Sequence, residues 1–445
     1  MRTDAGSGAL SWLLAALILT LALGAQVALA SVGGLRIRPY LPLLVLAAAL
    51  IAVRALRRGY LPKVPVKGSV PAVGVLFLAA LFSIFNAEYV SLAVKQTVFL
   101  IGMVGIYIVL LLAELNATDL RRITLAILWS LAAAVAFGFY QFGLEYTRSG
   151  SVIAAFIQFH SFFEERNEFG LFMVYAAGFL LPLALNDEGP ARYKILLALT
   201  VVALLLNFSR GSLLAFAAMF LLDRLGAGRL FSPRRAGHSL LMLGGIGLAA
   251  GAAVLIFLPA LVGLTEFIDV LMTRSLGFRP TSDETTSIRL LFIRTAGRAF
   301  LSHPLIGSGI GNVGYVLNHF GRAADYGTVT LHGAVQPPVY DLGTTSNIFA
   351  DLLLETGLLG LLSFLIFLAA VFRAVVLRGR GRGRDGLMHA GAVLSLVGVL
   401  INGLSYNSLY LPFTWVSFAL APLVAASRHP AETLAPAPAP AAPVA

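Results

Sequence analysis

Long apolar segments recur along almost the whole chain, and they constrain its fold more than any other feature. About twelve of them approach the length that an α-helix needs to cross a bilayer. They occupy residues 9–30, 40–56, 70–87, 91–114, 120–142, 168–186, 192–208, 211–224, 239–261, 349–377, 387–403 and 408–427. Because backbone groups in lipid must be hydrogen-bonded inside the protein, the sequence predicts an all-α polytopic membrane protein with about twelve transmembrane helices.

The composition agrees with this fold class and excludes several functions. Hydrophobic residues make up 58% of the chain and charged residues 12%, about half the charged share of a soluble domain. The net charge of +11 comes from residues scattered through short loops, so we expect membrane lipids as neighbours and no nucleic-acid partner. The chain has no cysteine, which excludes disulfides, thiolate catalysis and cysteine-bound metals.

The basic residues also predict how the chain is oriented and divided. With a cytoplasmic N-terminus, most of them fall in cytoplasmic loops, as the positive-inside rule requires. This orientation leaves one long periplasmic loop, which we expect to carry interfacial helices. The predicted divisions are residues 1–261 with the first nine spans, 262–348 as the periplasmic loop domain, 349–427 with the last three spans, and 428–445 as a disordered Ala/Pro-rich cytoplasmic tail.

The first apolar segment raises a question of processing. Ala28-Leu29-Ala30 before Ser31 is similar to a signal-peptidase site. The apolar run that precedes it is longer than an ordinary signal sequence, and a second span follows near Tyr40. We therefore expect a retained first helix.

Arg210 is a permanent cation between two apolar segments, within Asn207-Phe208-Ser209-Arg210-Gly211. An arginine at membrane depth costs about 3 kcal/mol or more. Such a residue is kept when it faces a partner, a polar cavity or an anionic ligand. The predicted orientation places Arg210 at the periplasmic mouth of its two spans, on the same side as the long loop.

Two segments of the long periplasmic loop are candidates for ligand contacts. Residues 287–300 have apolar side chains at helical spacing and carry Arg289, Arg294 and Arg298, as expected of a helix at the membrane interface. These arginines either contact lipid headgroups or reach a substrate. Residues 303–312 form a glycine-rich turn whose backbone N–H groups could bind an anion.

Carboxylates occur at two further places on the periplasmic side. Asp351 and Glu355 lie one turn apart at the start of a long apolar helix, where carboxylates either stabilise the helix N-terminus or belong to a site. Residues 162–170 contain Glu164, Glu165 and Arg166, for which local ion pairing is the simplest reading.

In order along the chain, these motifs resemble a known family. The motifs are Asn207-Phe-Ser-Arg210-Gly211, Arg289 followed by His303-Pro-Leu-Ile-Gly-Ser-Gly309, and Asn347 followed by Leu-Leu-Glu355-Thr-Gly-Leu-Leu-Gly360. The set is similar to bacterial O-antigen ligases and O-antigen or exopolysaccharide polymerases, over roughly residues 160–365. The Arg166-Asn167 pair is similar to the family's Pro-Asn segment, with arginine where proline is common.

The resemblance implies an integral-membrane glycosyltransferase of the C type in the bacterial inner membrane, acting on the periplasmic face. Its donor would be a saccharide linked to undecaprenyl diphosphate. Its acceptor would be lipid A core, for a ligase, or a lipid-linked glycan, for a polymerase. The reaction would invert the anomeric centre and need neither a metal nor another cofactor.

The resemblance also assigns roles to individual residues. Arg210 and Arg289 would be catalytic and would bind the diphosphate, since arginine forms paired hydrogen bonds to phosphate oxygens. Arg166, Asn167, Asn347 and Glu355 would contact the substrate.

The residue that activates the acceptor is left open. Ser346 occupies the position before Asn347, where many family members carry a histidine, and a hydroxyl is a poor general base. We consider His332 as a catalytic replacement. The other candidate bases are Glu164, Glu165 and Asp341.

A membrane transporter or lipid-oligosaccharide flippase is the main alternative. Transporters usually place polar sites near the middle of the membrane and show repeats that relate two halves. We find no convincing repeat here, and the polar motifs concentrate on one side.

Overall fold

The computed structural model describes twelve stretches of the chain, and every structural statement here concerns them. They are residues 5–23, 27–32, 35–62, 64–66, 68–151, 154–155, 158–186, 189–226, 295–320, 345, 347–378 and 384–426. The predicted span 239–261, most of the predicted loop domain 262–348 and the predicted tail 428–445 lie outside them. So do Arg289, Arg294, His332, Asp341 and Ser346.

The described chain is a bundle of helices. A short 3-10 turn, Ile84–Asn86, lies between the third helix and the fourth. The helices are α1 Ala5–Leu21, α2 Tyr40–Arg58, α3 Ser69–Ser83, α4 Val90–Leu112, α5 Ala117–Ser149, α6 Arg166–Ala184, α7 Ala191–Asn207, α8 Arg210–Gly226, α9 Val313–Phe320, α10 Ile348–Arg378, α11 Arg384–Gly403 and α12 Pro412–Ala426.

The helical fold class predicted from the apolar segments is confirmed. Seven helices in the described residues are long and apolar enough to cross a membrane, and two shorter apolar ones, Gly8–Leu21 and Pro412–Ala426, accompany them. Each predicted span that falls in the described residues coincides with a helix, usually to within a few residues. The total of about twelve spans stays a prediction.

The predicted first span is too long. Helix α1 ends at Leu21, and strand β1, Ala30–Val32, then pairs antiparallel with strand β2, Leu35–Ile37. The sequence between the two strands is Gly33-Gly34, a dipeptide that favours two-residue hairpin loops. A short hairpin therefore interrupts an otherwise helical protein.

Residues predicted to be cytoplasmic contact one another at one end of the bundle. Arg58, at the end of α2, pairs with Glu114, just before α5. Arg122 on α5 donates a hydrogen bond from Nη1 to Ser11 Oγ on α1 at 2.9 Å. The start of α1, the end of α2 and the start of α5 therefore share one end, as alternating spans require.

Helix α6 is the most enclosed of the long helices, with 83% of its membrane-length window buried. A Cβ added at Gly178 would lie 2.4 Å from the backbone nitrogen of Ser395 on α11. Small residues let membrane helices approach this closely. Close packing thus fixes α6 against α11.

Helix α10 has a break at Gly357, where φ is 67° and ψ is −165°. The break lets the glycine-rich turn pair with the helix backbone. Leu358 N donates to Pro304 O at 2.9 Å, and Ser308 N donates to Leu354 O at 2.9 Å. The turn is thereby held against α10 on both sides of the break.

Candidate functional site

The junction between α7 and α8 is short and has an unusual backbone. Asn207 ends α7, Phe208 adopts a left-handed conformation with φ 52°, and α8 begins at Arg210. A bulky residue rarely adopts a positive φ, because its side chain crowds its own backbone. Such strain persists where the surrounding contacts hold the residue in place.

Two polar side chains of the junction bond to the start of α6. Asn207 is buried and donates from Nδ2 to Arg166 O at 2.9 Å. Ser209 donates from Oγ to Asn167 Oδ1 at 3.1 Å. The structure therefore brings Arg166 and Asn167, predicted as substrate contacts, next to the segment that carries Arg210.

Helix α11 supports the junction from another side. Asn402 donates from Nδ2 to Ser212 Oγ at 2.8 Å, and Ser212 donates to Ser209 Oγ at 2.9 Å. Gly211 packs so closely on Ser405 that an added Cβ would lie 1.8 Å from Ser405 Oγ. A side chain at position 211 would therefore force Ser405 to shift.

A cavity of about 300 Å³ opens beside the junction, at the small end of the range for ligand pockets. Polar and charged residues dominate its lining. They are His160, Glu164, Glu165, Arg166, Asn167, Asn207 and Phe208.

Arg210 is exposed and is the first residue of α8, three positions after the cavity-lining Asn207. A helix N-terminus presents backbone N–H groups and a partial positive charge, both of which favour anions. Together with the nearby start of α6 and Arg166, this end of the bundle is suited to a negatively charged ligand.

The carboxylates near the cavity are linked to a tyrosine from the loop between α11 and α12. Tyr406 donates from its hydroxyl to Glu168 Oε1 at 3.3 Å. Burial, followed by the charges of Glu168 and Glu165, raises the pKa of Tyr406 well above its usual value, so the phenol stays protonated. Burial, followed by the charge of Glu164, raises the pKa of Glu165, and a hydrogen bond from Tyr406 lowers it in part.

Asn347 occupies the start of α10. Its Oδ1 accepts hydrogen bonds from Phe349 N and Ala350 N, each at 3.0 Å, and its Nδ2 donates to Leu404 O at 3.1 Å. These contacts cap the helix and connect it to the loop after α11. Substrate binding by Asn347 stays a prediction.

The carboxylates of α10 are engaged inside the protein. Asp351 accepts hydrogen bonds from Thr345 N and Asn407 Nδ2, both at 2.6 Å. Glu355 is 2% exposed and accepts from Gly311 N and the Tyr410 hydroxyl, both at 2.8 Å. The contacts of Glu355 join α10 to the glycine-rich turn, and substrate binding by Glu355 stays a prediction.

The backbone donors of the glycine-rich turn from Gly307 to Asn312 are already used inside the protein, which argues against an anion site along that part of the turn. Their acceptors are His303 O, Leu354 O, Glu355 O, Ser83 Oγ, Glu355 Oε1 and Gly309 O in turn. Each N–H is satisfied by the protein. The turn is therefore a structural clamp between α3 and α10.

The sequence interpretation missed the loop between α11 and α12. This loop supplies Ser405, Tyr406, Asn407 and Tyr410 to the contacts described above, beside Asn402 at the end of α11. The only local signal is a run of amide, hydroxyl and phenol side chains over residues 402–410 between two apolar segments.

The predicted interfacial helix is described only in part. Residues 295–300 are helical and include Arg298, which is half-buried. Across the described stretches, no group of three or more His, Asp or Glu side chains is placed to hold a metal ion.

Comparison with known proteins agrees with the sequence resemblance. Residues 195–365 match the family model described as O-antigen ligase. The matched range includes the α7–α8 junction, the glycine-rich turn and the first part of α10. No curated protein matches the chain.

Proposed function

We propose that the chain transfers a saccharide from undecaprenyl diphosphate to a sugar hydroxyl, because residues 195–365 match the family model described as O-antigen ligase, a family of glycosyltransferase-type enzymes. The acceptor is either lipid A core or another lipid-linked glycan. The observation that carries the proposal is the α7–α8 junction within the matched range, since Arg210 follows the cavity-lining Phe208 by two residues.

The chemistry of the reaction fits an arginine-rich site. A lipid diphosphate is a good leaving group, and its departure needs stabilisation of negative charge more than protonation. Arginine stays cationic near lipid and donates paired hydrogen bonds to phosphate oxygens. In this proposal, Arg210 and Arg289 bind the diphosphate, and the start of α8 adds its N–H groups.

The proposed location is the periplasmic face of the bacterial inner membrane. The cavity and the junction lie at the end of the bundle opposite the Arg58–Glu114 pair. The basic loops predicted to be cytoplasmic flank that pair. The positive-inside rule therefore supports a periplasmic site.

The native chain lacks cysteine, which gives a direct test of this orientation. Glu88 and Glu114 are exposed residues at opposite ends of the bundle. In intact cells, Glu88→Cys should react with a membrane-impermeant thiol reagent, and Glu114→Cys should react only after permeabilisation. The reverse pattern would contradict the periplasmic location.

The proposed activity is tested with purified protein, an undecaprenyl-diphosphate oligosaccharide and each acceptor in turn. Transfer only to lipid A core would identify a ligase, and chain lengthening without lipid A would identify a polymerase. Absence of transfer to either acceptor, with folded protein and intact donor, would contradict the proposed function.

A further inference from the structure

Glu165 immediately precedes α6, in the position where a side chain often caps the helix. Its backbone is extended, with φ −127° and ψ 151°, and its side chain makes no capping hydrogen bond within the described chain. The side chain instead lines the cavity beside Arg166. Tyr406 also provides a hydrogen bond to this carboxylate, whose two oxygens have further acceptor sites for a ligand.

The neighbouring carboxylate of Glu168 is held by protein donors. Its Oε2 accepts from Glu164 N at 3.2 Å, and its Oε1 accepts from the Tyr406 hydroxyl at 3.3 Å. Glu168 is absent from the cavity lining, whereas Glu165 belongs to it. The two glutamates therefore differ in access to a ligand, although they are three residues apart.

The cavity lining is mostly polar and includes residues with carboxylate, guanidinium, imidazole and amide side chains. Phe208 adds an apolar surface to the same lining. Hydroxyl donors attached to a ring with apolar faces, as in a saccharide, match this combination.

We propose that this cavity receives the acceptor saccharide and that the Glu165 carboxylate takes the proton from its attacking hydroxyl. The proposal rests on the glycosyltransferase function proposed above. The acceptor oxygen forms a bond to the anomeric carbon while the bond from that carbon to the diphosphate oxygen breaks. The leaving electron pair stays on the lipid diphosphate, and the hydroxyl proton moves to Glu165. No oxidant, reductant or metal is required for this balance.

The surroundings of Glu165 suit a proton acceptor. Burial and the charge of Glu164 raise the pKa of Glu165, which makes the carboxylate a stronger base. The charged and titratable groups around it come from several elements. They are His160, Glu164, Arg166, Glu168, Tyr406 and Arg38.

The first experiment compares Glu165→Gln with Glu88→Gln, which removes an exposed carboxylate at the same end of the bundle. Purified variants are assayed for transfer and, separately, for binding of the undecaprenyl-diphosphate oligosaccharide. We expect Glu165→Gln to lower kcat by about 10²–10⁴-fold, the usual contribution of a general base, while donor binding stays unchanged. Glu88→Gln should match the wild type in both assays.

The outcomes separate this inference from the proposed function. If the wild type transfers no saccharide, the proposed function fails. If the wild type transfers and Glu165→Gln keeps its rate within a few-fold, Glu165 is not the base. Loss of donor binding in Glu165→Gln would also overturn the assignment. If His332→Ala abolishes transfer while Glu165→Gln does not, the base is His332.

The pH dependence of the transfer rate provides a second test. A purely structural role of Glu165 would predict no change in this pH profile. The active form is the ionised carboxylate, so the wild-type rate should fall as pH drops through the raised pKa of Glu165. Glu165→Gln should remove this acidic limb. Tyr406→Phe removes a hydrogen bond that lowers the pKa of Glu165. The acidic limb of the pH profile of this variant should therefore move to higher pH. An unchanged limb in both variants would contradict the proposal.

Discussion

The α7–α8 junction and the glycine-rich turn differ in how their polar groups are used, although both lie at the same end of the bundle. In the turn, the backbone donors from Gly307 to Asn312 all bond to protein acceptors. At the junction, polar side chains anchor the segment to α6 and α11, and a cavity remains beside them. A polar motif that the fold satisfies completely stabilises the protein, whereas one bordering a cavity can serve a ligand.

Among the substitutions that compare these two regions, the largest effect should come from Arg210 at the junction. Arg210→Ala should lower kcat by about 10²–10³-fold, the loss expected when one donor to a developing negative charge is removed. Because Arg210 is exposed at a helix start, thermal stability in detergent should change little. Arg210→Lys keeps the charge but loses the paired hydrogen bonds to phosphate oxygens. Its rate should therefore lie between those of the wild type and Arg210→Ala. A near-normal rate for Arg210→Ala would place the diphosphate elsewhere.

A substitution in the clamp should affect stability instead. Gly357 has φ 67°, and an added Cβ would lie 2.4 Å from the carbonyl carbon of Leu305. The left-handed backbone alone costs a residue with a side chain about 1–3 kcal/mol, so Gly357→Ala should lower the thermal midpoint markedly. Gly297→Ala is the control, since a Cβ there meets nothing within 4 Å. Equal midpoints for both variants would contradict the clamp.

Glu355 tests whether a buried carboxylate belongs to the clamp or to the substrate site. Glu355→Gln keeps the shape but weakens the hydrogen bonds from Gly311 N and Tyr410, at a cost of about 1 kcal/mol. If Glu355 only clamps, the midpoint falls and KM for the donor stays constant. A raised KM with an unchanged midpoint would support the substrate-binding role predicted from the sequence.

The smallest effect is expected at the opposite end of the bundle. Arg58 and Glu114 form an ion pair whose side chains are 34% and 47% exposed. Exposed pairs contribute less than about 1 kcal/mol, so Arg58→Ala should leave both transfer and the thermal midpoint nearly unchanged. A large loss of transfer would mean that this end also takes part in function.

The helices could be predicted from the sequence because each apolar run must form its own backbone hydrogen bonds. Helices α2 and α7, for example, begin and end close to the predicted bounds 40–56 and 192–208. The break at Gly357 could not be predicted this way. It depends on Leu305 and Ser308, which are about fifty residues earlier in the chain and reach Gly357 only after folding.

The candidate site was predictable where a charge stood out against an apolar background, as Arg210 does. Asn402 and Tyr406 carry no such contrast, and only the packing of α11 beside the α7–α8 junction gives them a role. The anion-binding hypothesis for the glycine-rich turn found no support for a related reason. A sequence does not show which acceptors the N–H groups of the turn will bond to in the folded protein. Whether these donors are all bonded to acceptors distant in sequence is decided only when the chain folds.

The enclosure of α6 has a consequence for the way the protein tolerates different bilayers. A helix that faces lipid tilts or shifts when hydrophobic thickness changes, and groups at its ends shift with it. Helix α6 is surrounded mainly by protein and locked to α11 at Gly178. Arg166 and Asn167 at its start should therefore keep their positions relative to the α7–α8 junction in thin and thick membranes alike. Helix α2, only 22% buried over its membrane-length window, would absorb the mismatch instead.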